Sequence, residues 1–448
     1  MTRRFYIETY GCQMNVADSE LITGILEAAG YVSAKSEEEA DVILLNTCAV
    51  REKAEERIFG RLGWLKTAKA KRPGLTVGVA GCMAEHLKEA LVKRAPYVDV
   101  VIGPDAYRRL PALLDAAVMA RDPLIDVVLD KAELYEGIAP TRVSGVSGWI
   151  SIARGCDKFC TFCVVPYTRG RERSVEPGAI VAQAVAMEAS GFSEVTLLGQ
   201  TVSSYQHQGT DFAALLRAVH DATERIRLRF TSPYPTDFSD AVLDTLAALP
   251  RVGQHLHLPV QSGSTPVLEA MRRQYTAEDY LDLIARIEAR LPDYYLTTDF
   301  IVGFPGETDE DFERTLALAE GVRFDSAFMF KYSERPLTYA AKKIPDDIPE
   351  AVKNARLQRL IKVQEAASRS RAAERVGREV EVLVSGENPK KPGQAMGRTS
   401  CFKTTILDRI DGEASPAPGD WVRARVHGSS VHTLFATPLG SASIEGVR

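Results

Sequence analysis

The stretch 154-RGCDKFCTFCVVPY-167 puts three of the chain's seven cysteines, Cys156, Cys160 and Cys163, into eight residues, with no fourth cysteine nearby. A structural zinc site takes four ligands, usually from two paired knuckles, and no second Cys or His pair stands close. A disulfide would use two of the three and leave a reactive thiol over. An iron-sulfur cluster held by three thiolates fits the spacing better, because the fourth iron then stays open to an exogenous ligand.

The other cysteines are read against this triplet. Cys12, Cys48 and Cys82 stand in TYGCQMN, LNTCAV and VAGCMAE, and Cys401 is left over. So few cysteines in 448 residues make no disulfide framework, and grouped cysteines in a reducing compartment point to metal binding or catalysis. A net charge of -5 argues against a globally basic nucleic-acid binder but leaves room for local patches. No apolar run approaches the ~20 residues of a membrane span, and the N-terminus lacks an apolar signal stretch. A cytoplasmic protein without membrane contact is expected.

The length predicts several domains. Over residues 1–130, RFYIETYG, ADVILLNTC, LTVGVAGC and VDVVIG read as strands separated by helix-like stretches, an α/β domain with a parallel sheet. The first three strands each deliver a cysteine at or just past the C-terminal end. Those ends share one edge of a parallel sheet, so Cys12, Cys48 and Cys82 are expected to converge there. Residues 131–148, rich in Gly, Pro and Ser, read as a linker. From 149 to 375 a second alternation supplies six strand candidates, from GWISIARGC to FDSAFMFKYS, too few for an eight-stranded barrel. A partial (β/α)6 barrel with its chemistry at the C-terminal strand ends is the prediction. Its last helical stretch, from residue 351, carries an apolar stripe of Leu357, Leu360 and Ile361 and is otherwise basic, most simply a solvated face. Residues 376–440 turn to short β-like pieces between Gly, Pro and Asn turns, the pattern of a small all-β barrel.

Cys-x3-Cys-x2-Cys after the first barrel strand resembles the signature of radical S-adenosylmethionine (SAM) enzymes. The resemblance implies a 4Fe-4S cluster on Cys156, Cys160 and Cys163 whose open iron binds SAM, and an electron that cleaves SAM to a 5'-deoxyadenosyl radical. It also implies SAM contacts at Phe162 between the cysteines, at Gly199 and Gln200 in LLGQ, at Ser232 after IRLRFT, at Gln261 in HLHLPVQ, and at Asp299 and Gly303 in TTDFIVGFPGET. Asp299 stands out on physical grounds too, since a charge inside an apolar strand costs several kcal/mol unless paired. His255, His257 and Gln261 alternate with apolar residues, which allows one strand face to present them to the interior.

With the dispersed triplet and the C-terminal barrel included, the chain resembles the radical SAM methylthiotransferases over nearly its whole length. That family has an N-terminal cysteine-bearing domain, a radical SAM barrel and an RNA-gripping TRAM barrel. The resemblance implies a second 4Fe-4S cluster on Cys12, Cys48 and Cys82, one SAM as methyl donor and a second as radical source. CDKFCTFCVVPYTRGRERS, LLGQTVSSY, HLHLPVQSGS, TDFIVGFPGET, FMFKYSERP and NPKKPGQAMGRTS look like the branch that methylthiolates C2 of N6-isopentenyladenosine at tRNA position 37. Thr201 and Ser203 depart from it where Asn is common, and Leu337 where Gly is common. Implied partners are the tRNA anticodon stem-loop, an electron donor such as flavodoxin or ferredoxin, and a sulfur donor or iron-sulfur carrier, with the protein a monomer. Arg169, Arg171 and Arg173, at alternate positions after the cluster loop, are candidate phosphate or base contacts, as are Lys390, Lys391, Arg398, Lys403, Arg423 and Arg425 in the C-terminal region. Nine basic and eight acidic residues nearly cancel from residue 376 onward, so RNA affinity there requires geometric segregation of charge and weakens with salt. Two alternatives stay open: the same chemistry on N6-threonylcarbamoyladenosine, and a nonenzymatic iron-sulfur RNA-binding protein.

Overall fold

The computed structural model describes residues 2–49, 52–142, 145–291, 293–410 and 414–442. They form two compact units, one comprising 1–143, 153–157 and 163–175, the other 144–152, 158–162 and 176–448.

The first unit is built on a six-stranded parallel sheet: β1 (Arg4–Tyr10), β2 (Val32–Ser33), β3 (Val42–Thr47), β4 (Thr76–Gly81), β5 (Val100–Ile102) and β6 (Leu124–Asp126), in the order β2-β1-β3-β4-β5-β6. Every residue of β3 and β4 is buried. Such near-continuous apolar strands are what a parallel sheet covered on both faces requires. Leu44 and Val100 join Leu21, Leu26 and Leu110 in the core on one face, while Ile43, Leu45, Val77 and Val79 join Leu62 and Leu65 on the other. The four expected strands are β1, β3, β4 and β5; the two additions are short and lie at the sheet edges, where little burial pattern exists to read.

Residues 131–142 hold no helix or strand, yet they are packed. Tyr135 is buried, stacks on Tyr107 at 5.8 Å and donates its hydroxyl to the Pro104 carbonyl at 2.7 Å. The same unit holds an antiparallel ribbon, β8 (Ala153–Arg154) with β9 (Arg173–Ser174).

The second unit contains six parallel strands in two sheets of three. β7 (Ser147–Ser151), β10 (Glu194–Leu198) and β13 (Arg227–Phe230) form one, and β14 (His255–His257), β15 (Tyr295–Val302) and β16 (Ser326–Lys331) the other. A parallel bridge from Leu228 to Val252 joins β13 to the segment before β14. These are the six strands expected of a partial barrel. A small hairpin, β11 (Gln206–His207) with β12 (Thr210–Asp211), follows β10. The C-terminal residues close into a five-stranded barrel of β17 (Glu379–Glu387), β18 (Ala395–Thr399), β19 (Thr404–Leu407), β20 (Trp421–Ser429) and β21 (Thr433–Ser441). Among the described residues no helix is long and apolar enough to cross a membrane.

The basic helix Glu350–Ala373 keeps solvated basic residues at Arg359, Lys362 and Arg369, but the stripe it buries is not the expected apolar one. Its buried stripe is Lys353, Arg356, Leu360, Gln364, Ser368 and Ala372, sharing only Leu360 with the expected Leu357, Leu360 and Ile361. Lys353 and Arg356 turn inward, and Arg356 meets the buried Glu307 at 2.7 Å and Asp309 at 2.8 Å, while Arg371, partly buried, meets Asp325 at 3.3 Å; Arg359 pairs with Glu313 at 2.7 Å on the exposed side.

Ion pairing also fixes the small barrel to the larger one. Glu194, at the start of β10, accepts from Arg227 and Arg229 at the two ends of the RLR triplet in β13. Arg229 then donates to the carbonyls of Ser400 and Thr399, and its guanidinium lies 4.8 Å from the Phe402 ring centroid. His255 stacks on Phe402 as well, the ring centroids 5.1 Å apart. The expected interior-facing His255 is thus part of the joint with the small barrel, and burial holds it well below its ordinary pKa and neutral.

Two predictions follow from these buried charges. Arg356→Met leaves the Glu307 carboxylate buried and unpaired, so unfolding in urea should show a loss of about 3–5 kcal/mol, with Glu307→Gln added in the same chain recovering much of it. Burial raises the Glu194 pKa, but Arg229 and Arg227 more than offset that and bring it from 4.5 to about 2. The pair's stabilising effect is therefore complete above pH 4.5 and fades as pH falls through about 2. Trp421, whose ring lies 4.7 Å from the Arg227 guanidinium, should report that loss by fluorescence in a Trp64→Phe, Trp149→Phe background.

Candidate functional site

Pairing register decides where the dispersed cysteines lie. Tyr10 pairs with Thr47, and Thr47 with Gly81, so the ends of β1, β3 and β4 fall on one line across three adjacent strands. Cys48 and Cys82 follow their strands immediately, and Cys12 follows by one more residue. The three strand ends thus share one sheet edge, as expected. A methyl group on Gly11 would stand 3.0 Å from Cys48 Cβ, which measures how closely the Cys12 turn approaches Cys48. Gly81 turns the chain into Cys82 at φ +92°, and a Cβ there would meet the Thr47 carbonyl at 2.5 Å. Only glycine combines that left-handed backbone with that approach.

Asparagines brace this edge. Asn15 is fully buried and donates to Asn46 Oδ1 at 3.2 Å and to the Thr47 carbonyl at 3.1 Å. Asn46 donates back to the Asn15 carbonyl at 2.8 Å, while the Cys12 amide donates to Asn15 Oδ1 at 3.3 Å. Cys12 caps the helix Gln13–Ala28, where the aligned peptide dipoles favour negative charge at its sulfur.

Cys82 has a cationic neighbour. Arg169 Nε donates to Cys82 Sγ at 3.0 Å, and its Nη2 meets Asp18 Oδ2 at 2.7 Å. Burial pushes the Cys82 thiol pKa up, and Arg169 opposes that. Arg154 reaches the other Asp18 oxygen at 3.2 Å, and Arg173 pairs with Asp105 at 3.0 Å. This arrangement corrects the reading of the three alternate arginines as RNA contacts. Arg169 is 2% exposed and Arg173 is tied to Asp105, so neither is open to a phosphate, and Arg171 alone is exposed, paired with Asp157. Segregation to one outer side fails because the buried carboxylates of Asp18 and Asp105 draw the other two inward.

The donor set suits an anionic iron-sulfur group at this edge: three thiols at one strand line and a buried guanidinium on one of them, with its Nη1 lacking a partner. Among the described residues no Cys, His, Asp or Glu trio is arranged to hold a single metal ion. A four-iron cluster binds each thiolate to a different iron, so its ligands need not meet at one ion.

The compact triplet is anchored from within each unit separately. In the first, the Cys156 amide donates to the Gly170 carbonyl at 3.2 Å. Gly155, at φ +80°, permits that approach, since a Cβ would lie 2.0 Å from the Arg171 carbonyl oxygen. In the second, Thr161 ties the loop down: its amide donates to the Met271 carbonyl, its hydroxyl to Ala270, and its carbonyl accepts from Ala340. Phe162 packs against Val267, Met271, Phe304, Tyr332 and Ala340, which supplies a structural reason for an aromatic residue there. Arg273 Nη1 donates to Cys160 Sγ at 3.3 Å and is held by Tyr275 and the Pro259 carbonyl.

The other expected SAM contacts lie in the second unit, most of them after strands and Asp299 within one. Gly199 and Gln200 follow β10, and Ser232 follows β13 in the left-handed region at φ +57°. Gln261 is buried at φ +72° and exchanges backbone hydrogen bonds with Asp299 and Ile301. Asp299 sits within β15, half-buried, 3.4 Å from His257 Nε2. The Gly303 amide is already engaged by Glu307 at 2.7 Å, and Lys353 covers its Cα. Leu337, where glycine was expected, takes φ +76°, a conformation that strains a leucine.

In the small barrel, Lys390 and Lys391 stand exposed on a turn stapled by Asn388 and Gln394. Arg423 and Arg425 face Glu379, and Arg398 is half-buried over Phe402 at 3.9 Å. Lys403 does not fit a phosphate contact: it is 3% exposed, donates to the Val431 carbonyl at 2.6 Å, and burial brings its pKa down to about 8. Asn15, Asp18, Asn46, Asp105 and Arg273 were not picked out from the sequence. Asn46, a polar residue inside an apolar strand, carried the same signal that singled out Asp299.

Comparison with known proteins accounts for the three parts of the chain. Residues 4–103 match the uncharacterized protein family UPF0004, residues 150–319 the radical SAM superfamily, and residues 373–439 the TRAM domain. The tRNA-2-methylthio-N(6)-dimethylallyladenosine synthase of Bacteroides thetaiotaomicron is 46% identical over 439 residues, covering 96% of this chain and 95% of its own. The protein of the same name from Chlorobaculum tepidum is 45% identical over 438 residues, covering 97% of each chain. Among solved structures, the radical SAM methyltransferase TsrM from Kitasatospora setae, with cobalamin and a [4Fe-4S] cluster bound, superposes with a TM-score of 0.57 at 16% identity, over 76% of this chain and 74% of its own. The cobalamin-dependent radical SAM enzyme OxsB gives a TM-score of 0.52 at 14% identity, over 76% and 55%. These two speak for the fold alone. Radical SAM membership brings an iron-sulfur cluster and SAM with it. With nearly half its residues identical along almost its full length to such relatives, the chain belongs to the family of tRNA-2-methylthio-N(6)-dimethylallyladenosine synthases, radical SAM enzymes.

Proposed function

We propose that the protein methylthiolates C2 of N6-isopentenyladenosine at position 37 of tRNA, using two 4Fe-4S clusters and two molecules of SAM, in the cytoplasm. The observation that carries this reading is the line of Cys12, Cys48 and Cys82 across the in-register ends of three strands, in a chain that already has a radical SAM triplet. One three-thiolate site suffices for radical formation, so a second one requires a second task, and sulfur insertion supplies it. When bound, the clusters and SAM supply the hydrogen-abstracting radical and the sulfur, chemistry that acid and base side chains do not provide at an aromatic C-H.

The chain's own residues have definable tasks in this scheme. Cys156, Cys160 and Cys163 hold the SAM-binding cluster, and Cys12, Cys48 and Cys82 the auxiliary one. Gly199, Gln200, Ser232 and Gln261, which follow strands, and Asp299, within β15, are the proposed SAM contacts. Gly303 enters only through the turn it makes after β15, because Glu307 occupies its amide. Arg273 steadies Cys160 and adds positive charge beside its sulfur. Lys390 and Lys391, exposed on one turn, are the strongest candidates for phosphate contact in the TRAM domain, with Arg171 a further one near the cluster loop. The target base is cheapest to unstack in a single-stranded anticodon loop. An external one-electron donor of flavodoxin or ferredoxin type and a sulfur or iron-sulfur carrier complete the cycle.

Two measurements test this. In anaerobically reconstituted protein given dithionite and SAM, Cys160→Ala should abolish release of 5'-deoxyadenosine, whereas Cys48→Ala should still release it and fail to modify tRNA; equal loss in both would contradict the assigned division. Mass spectrometry of tRNA nucleosides from cells lacking the gene should show methylthio-isopentenyladenosine missing. Its presence at a normal level, with the methylthio form of threonylcarbamoyladenosine absent instead, would move the substrate to the other branch.

A further inference from the structure

The charges behind the dispersed cysteines do not balance. Arg154, Arg169 and Arg173 have side chains 4%, 3% and 8% exposed, and face Asp18 and Asp105, 1% and 0% exposed. Three cations therefore meet two anions in a region closed to water. Glu85, the other buried acid at this sheet edge, is paired with Lys88 at 3.2 Å and adds nothing to the sum. Uncompensated buried charge is costly, so a third negative charge is favoured beside these arginines, and a Cys82 thiolate, alone or as a cluster ligand, is placed to supply it. Hydrogen-bonding capacity tells the same story, since Arg154 Nε, Arg169 Nη1 and Arg173 Nε are buried without a partner. Of the three arginines, Arg169 is the one that touches a cysteine, donating to Cys82 at 3.0 Å.

We propose that Arg169 is a positioning residue for the auxiliary cluster: it holds the Cys82 sulfur through Nε, is itself fixed by Asp18, and offers its unpaired Nη1 and its charge to the anionic cluster. This rests on the reading of Cys12, Cys48 and Cys82 as cluster ligands. A 4Fe-4S core in its common oxidised state, held by three thiolates, carries one net negative charge, the amount by which the arginines exceed the carboxylates. Hydrogen bonds and positive charge at cluster sulfurs stabilise the reduced state and raise the reduction potential. Arg169 also lies six residues beyond Cys163, so the segment that leaves the radical-cluster loop supplies the guanidinium that serves the other triplet. The burial of Arg169 suits a place beside the cluster, where RNA contact would have required exposure.

The test uses the full chain carrying Cys156→Ala, Cys160→Ala and Cys163→Ala, so that only the auxiliary site takes iron. After reconstitution with iron and sulfide it should hold about four iron, and potentiometric titration followed by electron paramagnetic resonance gives the potential of that cluster. Adding Arg169→Gln should shift the reduction equilibrium at least tenfold toward the oxidised form, about 59 mV more negative for one electron. Should that variant fail to fold, Arg169→Lys, which keeps the charge but cannot bridge Asp18 and Cys82, should shift the potential in the same direction by a smaller amount. An unchanged potential in a folded, four-iron variant overturns the role of Arg169 and leaves the cluster reading intact. A parent that takes up no iron overturns the cluster reading, and the role of Arg169 with it.

Discussion

Register in a parallel sheet is the constraint on which the N-terminal half of the design depends. Residues pair so that β1, β3 and β4 stop on one line, and the chain turns into a helix or loop immediately beyond it. A slip of one residue in β3 would move Cys48 along the edge by a residue's rise and reverse the facing of Ile43, Leu44 and Leu45, which are all fully buried on alternate faces. The core that sets the register therefore also sets the cysteine line. Asn15 and Asn46 add specificity to this, because their mutual hydrogen bonds form only when the helix Gln13–Ala28 and the end of β3 meet at this one position.

Buried ion pairs stand at several junctions within each unit. Asp18 and Asp105 collect arginines from 153–175, Glu194 joins β13 to the small barrel, and Glu307 with Asp325 draws in the basic helix. Each is costly to break once formed, because removing one partner leaves the other charge buried alone. Their presence also explains why an arginine-rich segment in this chain says little about RNA until its partners are known.

The α/β character of the N-terminal domain, the six barrel strands and the convergence of three distant cysteines were legible, since each depends on local periodicity and on the common edge that parallel strands share. What escaped the sequence depends on long-range partners. Arg169, Arg173 and Lys403 have the composition of phosphate contacts, and only the position of Asp18, Asp105 and the Val431 carbonyl turns them inward. Leu357 and Ile361 have the spacing of a core stripe, yet the buried Glu307 draws Arg356 inward and the stripe that is buried is largely polar. His255 has the alternation of an interior residue, and its actual partner, Phe402, lies 147 positions later in the chain.

The two triplets ask different things of the fold. Cys156, Cys160 and Cys163 are close in the chain, so bringing their sulfurs together closes only short loops, and the fold's contribution is to orient the loop through Gly155, Thr161 and Phe162. Cys12, Cys48 and Cys82 have no such local help, and their site exists only once three strands have paired and two glycine-dependent turns have formed. Affinity at the dispersed site is therefore tied to the stability of the sheet, because a ligand that binds only the folded arrangement stabilises it by the same free energy. Under the role proposed for Arg169, a cluster anion beside the buried arginines adds to this linkage, because it meets their charge only in the folded arrangement.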